Sequence, residues 1–182
     1  MTTQALAPDD LTLALKRAIR DVPDFPKPGV VFKDITPVLA DPRLFGPVVE
    51  AMATPWREQG ITHVVGIESR GFILGAPVAL ALRAGFVPIR KPGKLPFTTR
   101  FEEYALEYGT DRLEVHVDAC ESGARVLIVD DVLATGGTAA AACRLVEAVG
   151  GTVAGLSFLL ALSFLRGEEA IVGRRAETLL VF

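Results

Sequence analysis

The feature that most constrains the fold is the stretch Val126–Thr138, which reads VLIVDDVLATGGT. The four branched apolar residues 126–129 are typical of a central strand that is covered on both faces. Asp130 and Asp131 follow, and the pattern predicts that the strand ends on these two carboxylates. The pair Gly136–Gly137 then lacks Cβ atoms, which allows a tight turn and a close approach of the backbone to a ligand. An alanine-rich helix follows the turn.

The turn and the start of the helix predict a phosphate-binding site. The first N–H groups of a helix lack partners within the helix, and the helix dipole places positive charge at the same end. Thr135 and Thr138 add hydroxyl donors. The adjacent carboxylates repel phosphate, so they indicate a neighbouring polyol or cation. A ribose 5-phosphate satisfies both demands, because Asp130 and Asp131 can accept hydrogen bonds from the 2′- and 3′-hydroxyls.

An unrelated phosphate-binding α/β protein, with acids at a strand end that hold magnesium, is the alternative interpretation. The sequence has neither a Gly-x-x-x-x-Gly-Lys-[Ser/Thr] loop nor a Gly-x-Gly-x-x-Gly motif after a strand. The stretch resembles instead the phosphoribosyl pyrophosphate signature of the type I phosphoribosyltransferases. The resemblance implies that its residues bind the phosphoribosyl group, namely Asp130, Asp131, Ala134, Thr135, Gly136, Gly137 and Thr138.

The bulk properties predict one compact domain over residues 1–182. Half of the residues are apolar, which supports a substantial core. The net charge of −3 argues against a nucleic-acid partner. Three observations predict a cytoplasmic protein. The two cysteines lack metal-ligand spacing, and the N-terminus lacks a signal-peptide pattern. The apolar run at 153–165 is too short for a membrane span.

A second junction of strand, loop and helix comprises the strand 63–67 and the loop Glu68–Gly71. The predicted fold class is α/β, with a central, mostly parallel sheet flanked by helices. Parallel strands bring such loops to one edge of the sheet, so the two loops are expected to face one cleft. From the residues alone, an ion pair with a surface acid is the more common role for an arginine such as Arg70. The resemblance implies a strained peptide bond in this loop, a catalytic role for Arg70, and binding of pyrophosphate by Glu68, Ser69, Arg70 and Gly71.

Residues 23–37, which read PDFPKPGVVFKDITP, are too rich in proline for a regular helix. Composition alone indicates a connecting loop. The segment resembles the adenine-specific members of the family, in which it forms a hood over the purine. The resemblance implies an aromatic wall from Phe32, backbone hydrogen bonds from Val31 and Lys33 to the adenine edge, and a further wall from Leu162. Many relatives have a glutamate where this sequence has Ala161.

Residues 92–111 form a long polar stretch, which is typical of disorder or of a functional lid. The pattern YALEYG at 104–109 resembles the mobile catalytic loop of the adenine-specific enzymes. The resemblance implies lid residues Tyr104, Glu107 and Tyr108. Glu107 would handle the purine proton as a catalytic residue. Two cations are implied to contact pyrophosphate, Lys91 and Lys94.

The reaction implied by the resemblance joins adenine to phosphoribosyl pyrophosphate and yields AMP and pyrophosphate. Mg²⁺ is expected to arrive with the substrate rather than in a metal site made by the protein. The family also implies a homodimer. Two alternatives remain open, a transferase for a 6-oxopurine and a non-catalytic regulator that senses phosphoribosyl pyrophosphate.

Overall fold

A computed structural model of the chain describes residues 8–105 and 110–182. The chain forms two compact units, Met1–Ala51 and Met52–Phe182. The single domain over residues 1–182 stays a prediction. Among the described residues, no helix is long and apolar enough to cross a membrane.

The amino-terminal unit is built from short elements around an antiparallel hairpin. Its elements are α1 (Pro8–Ala18), β1 (Arg20–Pro23), β2 (Val31–Asp34), α2 (Thr36–Ala40) and the first part of α3 (Pro42–Ala53). The apolar spacing of Leu11, Leu15, Ile19 and Val22 predicts one amphipathic helix over residues 9–22, but α1 ends at Ala18. Val22 lies in β1 instead, where it is opposite Phe32 of β2. Pairing with β2 therefore determines the conformation of this segment, although its apolar spacing suits a helix.

The second unit contains a five-stranded parallel sheet with the strand order β4-β3-β7-β8-β9. This confirms the predicted α/β class. A separate two-stranded antiparallel hairpin is formed by β5 and β6. The elements of this unit are β3 (His63–Ile67), α4 (Arg70–Leu82), β4 (Gly85–Ile89), β5 (Thr99–Ala105), β6 (Thr110–His116), β7 (Arg125–Leu133), α5 (Gly137–Ala148), β8 (Thr152–Ala161) and β9 (Ala176–Val181), with 3₁₀ turns at Thr54–Trp56, Ser163–Leu165 and Gly167–Ile171.

The apolar run of β7 forms the centre of the core. Residues 126–129 are all almost completely inaccessible to solvent. The helix α4 packs on β3 and β7, whereas α5 packs on β7, β8 and the β5–β6 hairpin. Trp56 is also buried, and the guanidinium of Arg175 lies 4.4 Å from the centre of its ring.

The strand β7 is longer than the sequence predicts. It was expected to end on Asp130 and Asp131, but it continues to Leu133. Its pairing with β3 stops at Val129, whereas its pairing with β8 continues to Leu133 opposite Ala161. The carboxylates therefore lie on a strand segment that extends past β3 and is still held by β8.

The polar stretch 92–111 is more regular than its composition suggests. Residues 99–105 form β5, which pairs with β6 from Thr99 opposite His116 to Ala105 opposite Thr110. Phe101 and Tyr104 project from this strand, and Tyr104 is buried. The mobility expected of this stretch stays a prediction.

Candidate active site

A cavity of about 280 Å³ lies at the carboxyl ends of β3 and β7. The loop after each strand contributes to it, as expected for a parallel sheet. The β5–β6 hairpin and Lys91, two residues after β4, complete the wall. The cavity is lined by Glu68, Ser69, Arg70, Lys91, Tyr104, Leu113, Asp130, Asp131, Val132, Leu133, Ala134, Thr135, Gly136, Thr138 and Ala139.

The loop between β7 and α5 has the geometry of an anion-binding turn. Gly136 adopts a left-handed conformation with φ of +79°, which is costly for residues with a Cβ. Its carbonyl accepts the first bond of the helix, from the N–H of Ala140 at 2.9 Å. The N–H groups at the beginning of α5 precede that first helical bond and lie beside the cavity. The loop therefore combines oriented donors with the positive end of a helix dipole.

The 3₁₀ turn at Gly167–Ile171 supports this loop from behind. A Cβ on Gly167 would lie 2.2 Å from the carbonyl oxygen of Ala134 and 3.1 Å from the nitrogen of Gly136. A Cβ on Gly136 would in turn lie 2.2 Å from the carbonyl oxygen of Gly167. Backbone therefore touches backbone, and only glycine fits at both positions.

The two carboxylates have different surroundings. Asp131 is almost completely buried, and its Oδ2 atom lies 3.0 Å from Nε of Arg70. Burial raises the pKa of Asp131, and the charge of Arg70 offsets part of that rise. Asp130 accepts a hydrogen bond from the N–H of Asp131 at 2.9 Å. Burial raises the pKa of Asp130 well above its ordinary value, and the negative charge of Asp131 raises it further.

The loop between β3 and α4 lies directly against β7. A Cβ on Gly71 would be 2.8 Å from the carbonyl oxygen of Val129 and 2.9 Å from Oδ1 of Asp130. The peptide bond between Glu68 and Ser69 is cis. Because Gly71 lacks a side chain, this loop and the carboxylate pair share one wall of the cavity.

Glu68 organises the cations at the end of β4. Its carboxylate accepts hydrogen bonds from Arg90 Nη2 at 3.0 Å, from the Lys91 N–H at 2.9 Å and from Lys94 Nζ at 2.8 Å. Burial alone would raise the pKa of Glu68, but these three donors outweigh it and lower the pKa to about 2. The site therefore contains an ionised glutamate surrounded by positive groups.

Lys91 also faces the β5–β6 hairpin. Its ammonium donates to the hydroxyl of Tyr104 at 3.0 Å and forms a short ion pair with Asp111. These contacts fix a cation at the wall of the cavity.

Leu162 does not line this cavity. It lines a neighbouring cavity of about 230 Å³, which shares Leu133 with the first and includes Ala161. The N–H of Leu162 donates to the carbonyl of Leu133 at 2.9 Å. This second cavity also has charged residues at its edge, Arg166, Glu168 and Glu169.

The predicted purine residues of the amino-terminal unit lie together in β2. Val31 is half exposed, and the Phe32 ring contacts the Phe25 ring edge to face, with 5.2 Å between their centres. Lys33 Nζ lies 2.6 Å from Asp21 Oδ1. The purine-binding roles of Val31, Phe32 and Lys33 stay predictions.

Most of the remaining predicted site residues lie in or beside the first cavity. Lys94 reaches the site through Glu68, and Gly71 and Gly137 adjoin lining residues without lining the cavity themselves. Glu107 and Tyr108 lie outside the described residues. In the part of the chain that the structure describes, no cluster of three or more His, Cys, Asp or Glu side chains could hold a metal ion.

Sequence reasoning missed three residues that shape the site: Arg90, Asp111 and Gly167. Arg90 had a signal, because two adjacent cations, Arg90 and Lys91, follow the apolar stretch 86–89 and only Lys91 was assigned a role. Gly167 stands in a Leu-Arg-Gly turn, and its contact with the loop 134–138, the predicted phosphate loop, has no local signature. Asp111 is the last residue of the polar stretch 92–111, and the sequence analysis assigned it no role.

Comparison with known proteins agrees with this geometry. Residues 47–170 match the family described as the phosphoribosyl transferase domain. The fold and the cavity therefore define a phosphoribosyltransferase.

Individual relatives show which family of phosphoribosyltransferases the chain resembles. A curated adenine phosphoribosyltransferase of Myxococcus xanthus is 61% identical over 178 residues, which cover 98% of this chain and 97% of that protein. The crystal structure of the enzyme from Rhodothermus marinus is 57% identical, with a TM-score of 0.91 over 94% of this chain and 98% of that one. The chain belongs to the adenine phosphoribosyltransferase family.

A more distant relative was crystallised with ligands. The adenine phosphoribosyltransferase of Saccharomyces cerevisiae, in complex with D-2,5-dideoxy-2,5-imino-altritol 1,6-bisphosphate and adenine, is 40% identical. Its TM-score is 0.89, and the match covers 94% of this chain and 99% of that one.

The substitution Glu68→Gln tests the charge network at the end of β4. The pKa of Glu68 is about 2 in the folded protein and 4.5 for the free group. Its ionised form therefore stabilises the fold above pH 4.5, and this contribution is lost as the pH falls from 4.5 towards 2. We expect the loss of unfolding free energy between neutral pH and pH ~3 to be smaller in the variant by at least about 1 kcal/mol, after allowance for solvent screening.

Urea unfolding at the two pH values measures this difference. The exposed residue Glu58 provides the matched control, Glu58→Gln. Equal pH dependence in Glu68→Gln and wild type would contradict the proposed network.

The substitution Gly167→Ala tests the support of the phosphate loop. Its new Cβ would displace the backbone of Ala134, and small displacements of binding groups weaken binding strongly. We expect KM for phosphoribosyl pyrophosphate to rise by at least about tenfold. Steady-state kinetics and thermal unfolding are measured together, with Gly46→Ala as control because nothing lies within 4 Å of a Cβ there. A folded Gly167→Ala enzyme with an unchanged KM would refute this role.

Proposed function

We propose that the cavity at the ends of β3 and β7 is where the chain transfers the 5-phosphoribosyl group of phosphoribosyl pyrophosphate to adenine. The products are AMP and pyrophosphate, and the reaction belongs to purine salvage. The observation that carries the proposal is the presence in one cavity of a phosphate loop, a carboxylate pair and a cationic loop. The yeast relative, whose ligands are a bisphosphate and adenine, supports it.

The phosphoribosyl group occupies the β7 side of the cavity. The loop 134–138 binds the 5-phosphate through backbone N–H groups and the hydroxyls of Thr135 and Thr138. Asp130 and Asp131 bind the ribose hydroxyls. The pair also places negative charge beside the ribose, where positive charge develops when the bond to pyrophosphate breaks.

The pyrophosphate occupies the opposite side of the cavity. Arg70 lines this side and is held by Asp131, so its guanidinium is oriented before the substrate binds. Lys91 and Lys94 add positive charge, and Ser69 adds a donor at the beginning of α4. Charge on the departing group is therefore balanced by fixed cations, which is the arrangement that favours bond cleavage.

Mg²⁺ fits this donor set as a companion of the substrate. The carboxylates of Asp130 and Asp131 are the acidic groups on the cavity wall near the proposed ribose, and Mg²⁺ usually combines one or two carboxylates with substrate phosphates and water. When bound, the ion neutralises charge on the pyrophosphate. The protein residues position both substrates and exclude water.

Backbone and aromatic groups of β2 recognise the purine. In β2, the backbones of Val31 and Lys33 offer a carbonyl and an N–H suited to the adenine edge, and Phe32 offers an aromatic face. Leu162 offers an apolar wall in the second cavity, next to Leu133. Adenine pairs an N6 donor with an N1 acceptor, which a 6-oxopurine does not present.

The lid, the assembly and the location of the protein complete the proposal. Tyr104, Glu107 and Tyr108 act as lid residues, and Glu107 takes the proton of the attacking purine. The enzyme acts as a homodimer in the cytoplasm.

A base-selectivity assay tests the function. Purified protein is supplied with Mg²⁺, phosphoribosyl pyrophosphate and, separately, adenine, hypoxanthine, guanine or xanthine. We expect rapid nucleotide formation with adenine alone. Turnover with an oxopurine alone would overturn the purine assignment, and binding of the activated sugar without any product would favour a regulator.

The substitution Glu107→Ala tests the proton-transfer role. General acid–base catalysis commonly contributes a factor of about 100 or more, so kcat should fall by that order while KM for both substrates changes little. Steady-state kinetics measure the two constants. Glu103→Ala, an exposed carboxylate in β5, is the matched control. An unchanged kcat would remove Glu107 from the mechanism.

A further inference from the structure

Lys91 is held in one orientation by Glu68, Tyr104 and Asp111, of which only Asp111 has no role in the function proposed above. Its N–H donates to Glu68, and its side chain lines the cavity. Its ammonium donates to the hydroxyl of Tyr104 at 3.0 Å and forms an ion pair with Oδ2 of Asp111. Nitrogen Nζ also lies 5.6 Å from the centre of the Tyr104 ring.

The two side chains that bind Lys91 are neighbours across the hairpin. Tyr104 of β5 is directly opposite Asp111 of β6. The Tyr104 hydroxyl donates to Oδ2 of Asp111 at 3.1 Å, and the N–H of Arg112 donates to Oδ1 at 2.8 Å. Both oxygens of Asp111 are therefore engaged, so the carboxylate is a fixed anchor.

Both members of the pair are charged. Burial would raise the pKa of Asp111, but the donors Lys91, Arg112 and Tyr104 outweigh it and lower the pKa. Burial would lower the pKa of Lys91, but its bonds to Asp111 and Tyr104 outweigh it and raise the pKa. The ion pair thus keeps the ammonium protonated.

The number of donors gives the arrangement a direction. An ammonium has three N–H groups. One is directed to Tyr104 and one to Asp111, so one donor is left, and Lys91 lines the cavity. A lysine side chain is otherwise a flexible point charge, and fixing it in advance removes an entropic cost from substrate binding.

We propose that Asp111 is a positioning residue, which holds the Lys91 ammonium at the cavity wall where it binds the pyrophosphate of the substrate. The inference rests on the proposed function, in which Lys91 contacts pyrophosphate. It adds a residue that touches no substrate and acts through another side chain.

A different mechanism makes the opposite prediction. If Asp111 competed with pyrophosphate for Lys91, removal of its charge would strengthen substrate binding. Positioning predicts weaker binding. The sign of the change in KM therefore distinguishes the two mechanisms.

The experiment uses Asp111→Asn, which keeps the size of the side chain and removes its charge. A hydrogen bond to a charged group typically corresponds to a factor of about ten or more, so we expect KM for phosphoribosyl pyrophosphate to rise about tenfold. KM for adenine should stay within about twofold of wild type, because Lys91 does not touch the purine. Glu103→Gln removes an exposed charge from the same hairpin and is the matched control.

A double-mutant cycle with Lys91→Gln separates positioning from a general structural effect. If Asp111 acts through Lys91, adding Asp111→Asn to Lys91→Gln should change KM for phosphoribosyl pyrophosphate by less than about twofold. Multiplicative effects of the two substitutions would overturn the inference. A lowered KM in Asp111→Asn, or one equal to that of wild type, would also overturn it.

Two further measurements test the positioning role of Asp111 if Asp111→Asn does not fold or if the wild-type protein is inactive. If Asp111→Asn does not fold, as judged by thermal unfolding, Tyr104→Phe removes the other acceptor and should raise the same KM, whereas an unchanged KM would refute the positioning of Lys91. Wild-type protein that forms no AMP would refute the proposed function. Active wild type combined with an unaffected Asp111→Asn would refute the positioning role alone.

Discussion

The position of β7 between β3 and β8 is the constraint on which the site depends. Because pairing with β3 stops at Val129 and pairing with β8 continues to Leu133, the strand carries two carboxylates past the edge of its neighbour. The loop after β3 fills the space beside them, and it approaches closely because Gly71 has no side chain. Two loops that are distant in sequence therefore share one cavity, and the strand register determines the distance between them.

Acids orient the cations of this cavity. Arg70 is paired with Asp131, Lys94 with Glu68 and Lys91 with Asp111. An unpaired flexible cation would lose side-chain entropy when a diphosphate bound, whereas a paired one has already lost it. Each pairing also reduces the net charge of the site. The arrangement therefore exchanges part of the electrostatic attraction for a defined geometry, which suits a reaction in which the charge develops at known atoms.

The sequence predicts the parts of the site that are local in the chain. The phosphate loop and the carboxylate pair follow one another within the stretch 126–138, and both line the cavity. The length of β7 was not predictable in the same way, because it depends on pairing with β8. The polar composition of residues 99–105 did not indicate a strand, because β5 is formed through its pairing with β6. Arg90 is separated from its partner Glu68 by 22 residues, and no local pattern links them.

The segment after β8 shows why the signature motif alone does not determine the geometry of the phosphate loop. The N–H of Leu162 donates a hydrogen bond to the carbonyl of Leu133. The same segment continues into the turn in which Gly167 lies against the backbone of Ala134. One short piece of chain thus lines the second cavity and supports the phosphate loop from behind. A change in side-chain volume at the end of β8, where Ala161 is opposite Leu133, acts on both regions at once. Packing behind the first cavity therefore connects the lining of the second cavity with the loop 134–138.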